Sequence, residues 1–191
     1  TFARNHNEIL DLYGSDTIIV STKIRTVGQA LQTFYLAEWA GVNSADGSPM
    51  WYDENGNLTK DYNQARKVIA GNADPKFTAG WTNNLTYGNW ALNFMFYCSY
   101  GNLIFNQLNN ELISDGATTE LNQSATAMDY WKQPGDNASN PKVVQNNGSN
   151  SNRFSTRYLE DGSYIRLKNI QLSYTLPSQA CEKIKLSRCM I

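Results

Sequence analysis

Only three cysteines, Cys98, Cys181 and Cys189, and only one histidine, His6, stand among the 191 residues. The odd cysteine count sets up no disulfide framework, and the spacings match no metal-ligand motif. A Cys181–Cys189 bridge is one alternative on spacing and free thiols the other. Cys98 falls on the apolar side of an alternating stretch and reads as a small hydrophobe. No Ser or Cys near His6 stands in a nucleophile context, which speaks against a catalytic triad. No glycine-rich phosphate loop occurs. The formal net charge is −1, so nothing suggests a nucleic-acid partner. No run of about 18 apolar residues occurs, so no helix of membrane-spanning length is expected. A transmembrane barrel stays open, because alternation hides its apolar face. No signal-peptide pattern precedes Thr1, and both ends read as mid-protein, so the chain is expected to be a fragment.

What the sequence has is aromatic residues, at 12%, and many Asn, Gly, Ser and Thr. The clearest local pattern is a hairpin. In Phe77–Tyr87 the odd positions carry Phe77, Trp81, Leu85 and Tyr87, and the even ones are mostly Thr, Gly and Asn. Gly88-Asn89 is a two-residue turn. In Trp90–Tyr100 the apolar side is Trp90, Leu92, Phe94, Phe96, Cys98 and Tyr100. Each strand spans about ten steps of roughly 3.3 Å. Tilted by roughly 40°, that is a height of about 25 Å, the apolar band of an outer-membrane barrel. Aromatics mark both ends, Phe77 with Tyr100 and Tyr87 with Trp90, as interfacial girdles would. Soluble sandwich strands usually run about five to six residues, and a core gives no reason to put aromatics at both ends. Trp81, Tyr87, Trp90, Leu92, Phe94 and Phe96 are therefore expected to face lipid.

A second alternating stretch runs from Tyr158 to Pro177 and reads as one long strand. Ile170, Leu172, Tyr174 and Leu176 share one face, but Ile165 and Leu167 are apolar on the other phase. Either a bulge near Lys168 shifts the register, or the two halves meet different surroundings. Arg166 and Lys168 are expected near the outer rim against anionic lipid headgroups. Thr17–Ile24 and Leu31–Val42 are further strand candidates. Residues 43–74 read as a polar insertion with Asp-Gly and Asn-Gly turns and a short helical turn within 63–69. Residues 101–161 read as a long polar loop. The fold class is all-β, with antiparallel up-and-down strands forming part of a large transmembrane barrel with long extracellular loops.

Few groups offer chemistry. Asp53, Asn55, Asn57 and Asp61 are spaced like a degenerate calcium loop, but Leu58 and Gln64 stand where the glycine and last carboxylate belong. An Asn-Gly turn is the favoured reading. Glu160-Asp161 and Asp53-Glu54 are neighbours on a chain and cannot face each other across a glycosidic bond. No catalytic residue and no cofactor is expected. Trp39, Trp51, Tyr52, Tyr130 and Trp131 are candidates for contacting a ligand or partner, with loop packing the competing role.

The run from Arg157 through Leu159-Glu-Asp-Gly162-Ser163-Tyr164-Ile-Arg166-Leu167-Lys-Asn-Ile-Gln-Leu-Ser-Tyr174-Thr-Leu-Pro177 resembles the signature near the C-terminal end of SusC/RagA-type TonB-dependent outer-membrane transporters. Val27-Gly28-Gln29, Phe34-Tyr35, Ala40-Gly41-Val42, Asp74-Pro75-Lys76-Phe77 with Gly80 and Trp81, and Trp131-Lys-Gln-Pro-Gly-Asp136 with Asn140-Pro141-Lys142 fit the same family. Asn5-His6-Asn7-Glu8-Ile9 resembles the end of a family strand at its periplasmic turn. The resemblance covers nearly the whole chain as a late barrel segment, with the plug and final strands absent. It implies import of glycans or peptides across the bacterial outer membrane, and no enzymatic activity. The implied partners are a SusD-like surface lipoprotein, a TonB complex acting through absent segments, and outer-membrane lipid. In that setting Gly88-Asn89 and Ser178–Leu186 are periplasmic turns, and residues 43–74 and 101–161 are extracellular. A handful of strands cannot close a barrel of about 22. The competing readings are a soluble all-β glycan-binding module and, last, a glycosidase fragment. A module would bury the Trp90, Leu92, Phe94 and Phe96 face under a second sheet.

Overall fold

In a computed structural model of the chain, residues 1–118 and 120–183 are described. Cys189, and with it the Cys181–Cys189 pairing, lies outside the described residues, as does the end of the proposed Ser178–Leu186 turn. In chain order the strands are β1 (Phe2–Ala3), β2 (Thr17–Val20), β3 (Lys23–Thr26), β4 (Thr33–Ala37), β5 (Trp39–Val42), β6 (Pro49–Tyr52), β7 (Leu58–Thr59), β8 (Lys67–Asn72), β9 (Phe77–Tyr87), β10 (Trp90–Tyr100), β11 (Leu103–Phe105), β12 (Leu159–Asp161) and β13 (Tyr164–Tyr174). Two short helices join them, α1 (Gln107–Leu112) and α2 (Ser178–Lys183). The chain forms two compact units. One holds Thr1–His6, Pro75–Asn102 and the chain from Gly162 onward; the other holds Asn7–Asp74 and Leu103–Asp161.

The first unit is one antiparallel sheet in the order β1-β9-β10-β13. β9 and β10 pair without interruption from Tyr87↔Trp90 to Phe77↔Tyr100. At the turn only Gly88, with φ +57°, takes a positive φ. That is the pattern of a II′ turn, whose twist suits the flanking strands. β13 lies on the other side of β10 and carries a bulge. Met95 pairs with Asn169 and Phe96 with Leu167, which leaves Lys168 as the extra residue. The bulge resolves the phase change in the sequence: Tyr174, Leu172 and Ile170 come from one phase, Leu167 and Ile165 from the other. All five register against the Trp90, Leu92, Phe94, Phe96 and Cys98 side of β10. One extra residue thus keeps a single apolar face over the whole strand.

Three expectations change here. The stretch from Tyr158 to Pro177 is not one strand. β12 pairs with β11 while β13 pairs with β10, and the break falls at Gly162-Ser163. There the Gly101 amide donates to Ser163 Oγ at 2.8 Å, and the Gly162 amide to the Asn102 carbonyl at 2.8 Å. Second, Arg166 registers opposite Tyr97, on the polar side of the sheet, and the Lys168 ammonium lies over the Tyr97 ring. Both cations therefore point away from the apolar face, not toward headgroups beside it. Third, Phe2↔Ala79 and Ala3↔Thr78 run β1 toward the Phe77 end. Asn5 and His6 thus follow the end of the sheet opposite Gly88-Asn89, not the turn end. β13 stops at Tyr174, the Thr175 amide donates to the Asn89 carbonyl at 2.8 Å, and Pro177 precedes α2.

The second unit holds most of the buried apolar residues: Ile24, Phe34, Leu36, Ala37, Trp51, Ile113 and Tyr158. Its sheets are ordered β2-β3-β4-β8 and β5-β6-β7, beside the β11-β12 pair. Thr17–Ile24 is a hairpin, not one strand, because Ser21 turns the chain at φ +55°. Leu31–Val42 is cut at Glu38 into β4 and β5, which join different sheets. The polar insertion 43–74 contributes β6, β7 and β8. Its helical turn is a 3-10 turn at Tyr62–Gln64, earlier than expected, and Asp61 caps it by accepting the Asn63 amide at 2.9 Å. The 101–161 segment is folded as well, around buried Asn110, Ser114, Asp115, Asn140, Asn147, Ser151 and Ser155. Polar burial leaves no hydrophobic period to read, which is why its order is invisible in the pattern.

Candidate functional site

The long sheet leaves its apolar side uncovered, where a soluble sheet would pack it. Within β9, β10 and β13 the buried residues are two serines of the polar side, Ser99 at 7% and Ser173 at 9% exposure. The apolar side is open: Trp81 is 59% exposed, Ile170 65% and Leu172 61%. Burial of apolar area stabilises a fold by about 25 cal/mol per Å², so water offers no reason to display such a face. Trp90 is exposed, while Leu92, Phe94 and Phe96 are half-covered by side chains of the flanking strands. Trp81 meets Phe94 edge-on at 5.6 Å and stacks on Phe96 at 6.1 Å. The six residues expected on a lipid side are therefore on one face. At one end of it Phe2, Phe77 and Tyr100 form a ring cluster with centroids 5.4 and 5.3 Å apart. At the other end Trp90 packs on Tyr174 at 4.6 Å, with Tyr87 opposite Trp90. Phe2 was missed from the sequence, because a two-residue strand has no period to detect.

The signature run divides between two jobs. In the second unit Arg157 is a buried clamp. Its guanidinium is bidentate on Asp115, with Nη1–Oδ2 2.5 Å and Nη2–Oδ1 3.1 Å. It also donates to the Asn140 side chain at 2.7 Å and the Ser151 carbonyl at 3.2 Å. The two side chains are 8% and 2% exposed, and Ser151 Oγ adds a third donor to Asp115 at 2.5 Å. Asp115 sits at φ +50°, a conformation costly for a non-glycine residue unless the surroundings hold it. The neighbouring Tyr158 hydroxyl has its pKa raised, chiefly by burial. Asn140 stood in a segment that resembles the family, but its role did not show, and Asp115 and Ser151 carried no sequence signal beyond the Asp-Gly turn at 115–116. In the first unit Gly162, Ser163, Tyr164, Arg166, Leu167 and Tyr174 set the start, face and end of β13, and Pro177 follows it.

The five aromatic ligand candidates are not brought together on one surface. Trp51 is fully buried at 0% exposure, edge-on to Trp39 at 5.5 Å and to Tyr62 at 5.6 Å. It is a packing residue and presents no ring to a ligand. Trp39, Tyr52 and Tyr130 are half-buried and lie beneath Arg157, Arg66 and Lys132 respectively. Trp131 packs on Gly47 and donates its indole N–H to the Ser44 carbonyl at 2.9 Å. In the calcium-like loop Asp53 Oδ1 accepts the Asn55 and Asn57 amides at 2.9 and 2.8 Å. These bonds, Asn57 first, lower its pKa, and the geometry is that of an Asx turn.

No family model matches the chain. Among curated proteins it is 30% identical over 210 residues to TonB-dependent receptor P3 of Formosa agariphila, covering 97% of this chain and 20% of the relative. It is 28% identical over 196 residues to TonB-dependent receptor P26 of the same organism, covering 91% and 19%. Among solved structures it matches the RagAB peptide importer in its closed-closed state with a TM-score of 0.78 and 26% identity, over 94% of this chain and 20% of that one. A second RagAB peptide transporter structure matches with a TM-score of 0.76 and 24% identity, over 93% and 20%. The chain thus spans about a fifth of the length of these relatives, which are receptors and transporters. The sequence relationship extends over nearly every residue, and the fold agrees with it: this chain belongs to the SusC/RagA-type TonB-dependent receptors.

Proposed function

We propose that this chain is a section of the wall of an outer-membrane importer. Its β9–β10–β13 sheet stands in the bilayer with the apolar face against lipid. The observation that carries the reading is the uncovered apolar face: Trp81, Ile170 and Leu172 are displayed on a side that a water-soluble sheet would pack against a second layer. The aromatic clusters at the two ends of that face fit the two membrane interfaces. Gly88-Asn89 marks the periplasmic end, and the chain segments 43–74 and 101–161 lie on the outer side. Both long edges of the sheet, β13 and most of β9, are unpaired among the described residues. In lipid such edges require neighbouring strands of the same barrel.

The full-length protein imports oligosaccharides or peptides, together with a SusD-like lipoprotein at the surface and a TonB complex that supplies energy. The peptide importer matched above favours peptides. The test is uptake by cells lacking the full-length gene, complemented with wild type. Labelled oligopeptide or oligosaccharide accumulation lost in the deletion and restored by the gene is expected. Recovery of the full-length product in the soluble fraction, without detergent, overturns the proposal.

A further inference from the structure

We propose that the polar side of the long sheet carries a carboxylate-binding station built from Arg166, Lys168, Tyr97 and Tyr164. This rests on the reading above, in which that side faces the barrel interior. The bulge at Lys168 is what assembles it. Without the extra residue, Arg166 and Lys168 would be consecutive same-face positions spaced by the ordinary strand repeat; with it, Lys168 is free to fold over Tyr97. The Lys168 ammonium lies 5.5 Å from the Tyr97 ring centroid. The Arg166 guanidinium lies 4.9 Å from the Tyr164 ring. The two rings are 6.1 Å apart, so cations and rings form one packed group.

Three features point to an anionic occupant. No Asp or Glu occurs anywhere on β9, β10 or β13, so the sheet brings two positive charges and no negative one. Among the described residues, neither cation has a carboxylate partner; the ion pairs there involve Lys60, Arg66 and Arg157. The aromatic faces hold both cations in place, which reduces the ordering cost when a ligand binds. Arg166 supplies the planar fork that matches a carboxylate, and Lys168 a second point charge. Apart from Gly80, Ala91 and Met95, the rest of this polar side is amide and hydroxyl, with Asn93 bonded to Asn84 at 2.5 Å, and suits a neutral backbone or sugar. The chemistry therefore selects solutes bearing a carboxylate, such as an acidic peptide.

The experiment uses the purified full-length transporter in detergent, with tetra-aspartate and tetra-asparagine as probes. Tetra-aspartate should bind about tenfold more tightly, in line with charge-assisted hydrogen bonds. That preference should shrink as salt rises. The double variant Arg166→Gln, Lys168→Gln should lose the preference while keeping tetra-asparagine binding and heat-modifiable gel mobility. A preference that survives in the variant, or is absent in wild type, overturns the proposal. Should the variant lose its barrel, acetylation of Lys168 in wild type decides. Slowing by tetra-aspartate supports the station. An unchanged rate, or a lysine already shielded by an acidic segment of the same protein, overturns it. Failure of the membrane reading shows separately, as water exposure at Ile170.

Discussion

Replacing Ile170 by arginine separates a lipid surface from a water surface. Ile170 is 65% exposed and pairs across β10 with Phe94. It lies four residues before Tyr174, the aromatic at the turn end of the sheet. Four steps of about 3.3 Å at a tilt of roughly 40° put it about 10 Å above that rim, near the middle of an apolar band about 25 Å tall. In water, a substitution at so open a position lies within about 0.5 kcal/mol of neutral. At a bilayer midplane it costs about 2–4 kcal/mol, or about 30- to 1,000-fold in the folding equilibrium. Tyr87→Arg, at the rim, should cost only about 0–1 kcal/mol. The assay is denaturant-induced unfolding of the full-length barrel in phospholipid vesicles, read by tryptophan fluorescence. An Ile170→Arg effect under 0.5 kcal/mol, or one no larger than Tyr87→Arg, refutes the reasoning.

Other consequences are equally open to measurement. Arg157→Met leaves Asp115 charged, buried and without its fork, and should cost about 3–5 kcal/mol, seen as a loss of protease resistance in the 103–161 segment. Arg157→Lys should rescue only part of it, because an ammonium cannot bond both carboxylate oxygens in one plane; full rescue contradicts the clamp. Gly47→Ala should displace Trp131, since the new Cβ would lie 2.4 Å from the indole at a backbone φ of +71°. The cost is about 1–3 kcal/mol, with a shift in tryptophan emission as the readout. Asp46 is held at about 2, first by the hydrogen bond from Lys60. Its unfolded value is near 3.9, so the pair contributes above pH ~4 and is lost as pH falls through about 2. Carboxyl carbon NMR should show a midpoint near 2 that rises toward the unfolded value in Lys60→Met. Deleting Lys168 removes the bulge yet keeps Ile165, Leu167 and Ile170 on one side. Barrel mobility on gels should survive the deletion while the carboxylate preference falls.

The hairpin from Phe77 to Tyr100 was legible because both strands alternate without a break and a Gly-Asn pair joins them. The Lys168 bulge was legible as a phase change, since an extra residue must move apolar positions from even to odd. Sidedness followed from the same alternation for all six apolar candidates. Direction did not. Nothing local in Asn5-His6 says which end of the sheet it follows; the Phe2↔Ala79 pairing decides that. Arg166 and Lys168 look rim-like on a strand, and only the register opposite Tyr97 shows their side. The role of Trp51 stayed open between ligand contact and packing, because aromatic residues in polar surroundings have the same composition in either role, and its burial decides for packing. The order in residues 103–161 comes from buried amides, hydroxyls and one ion pair, whose partners are far apart in sequence, such as Asp115 and Arg157.

The most direct measurement is collision accessibility of nitroxide labels on the full-length transporter in vesicles, with one label at Leu172 and another at neighbouring Gln171. The account predicts that oxygen, which concentrates in lipid, relaxes the Leu172 label far more than a water-soluble nickel chelate does, and that Gln171 shows the reverse. Equal access of the chelate to both positions would contradict it.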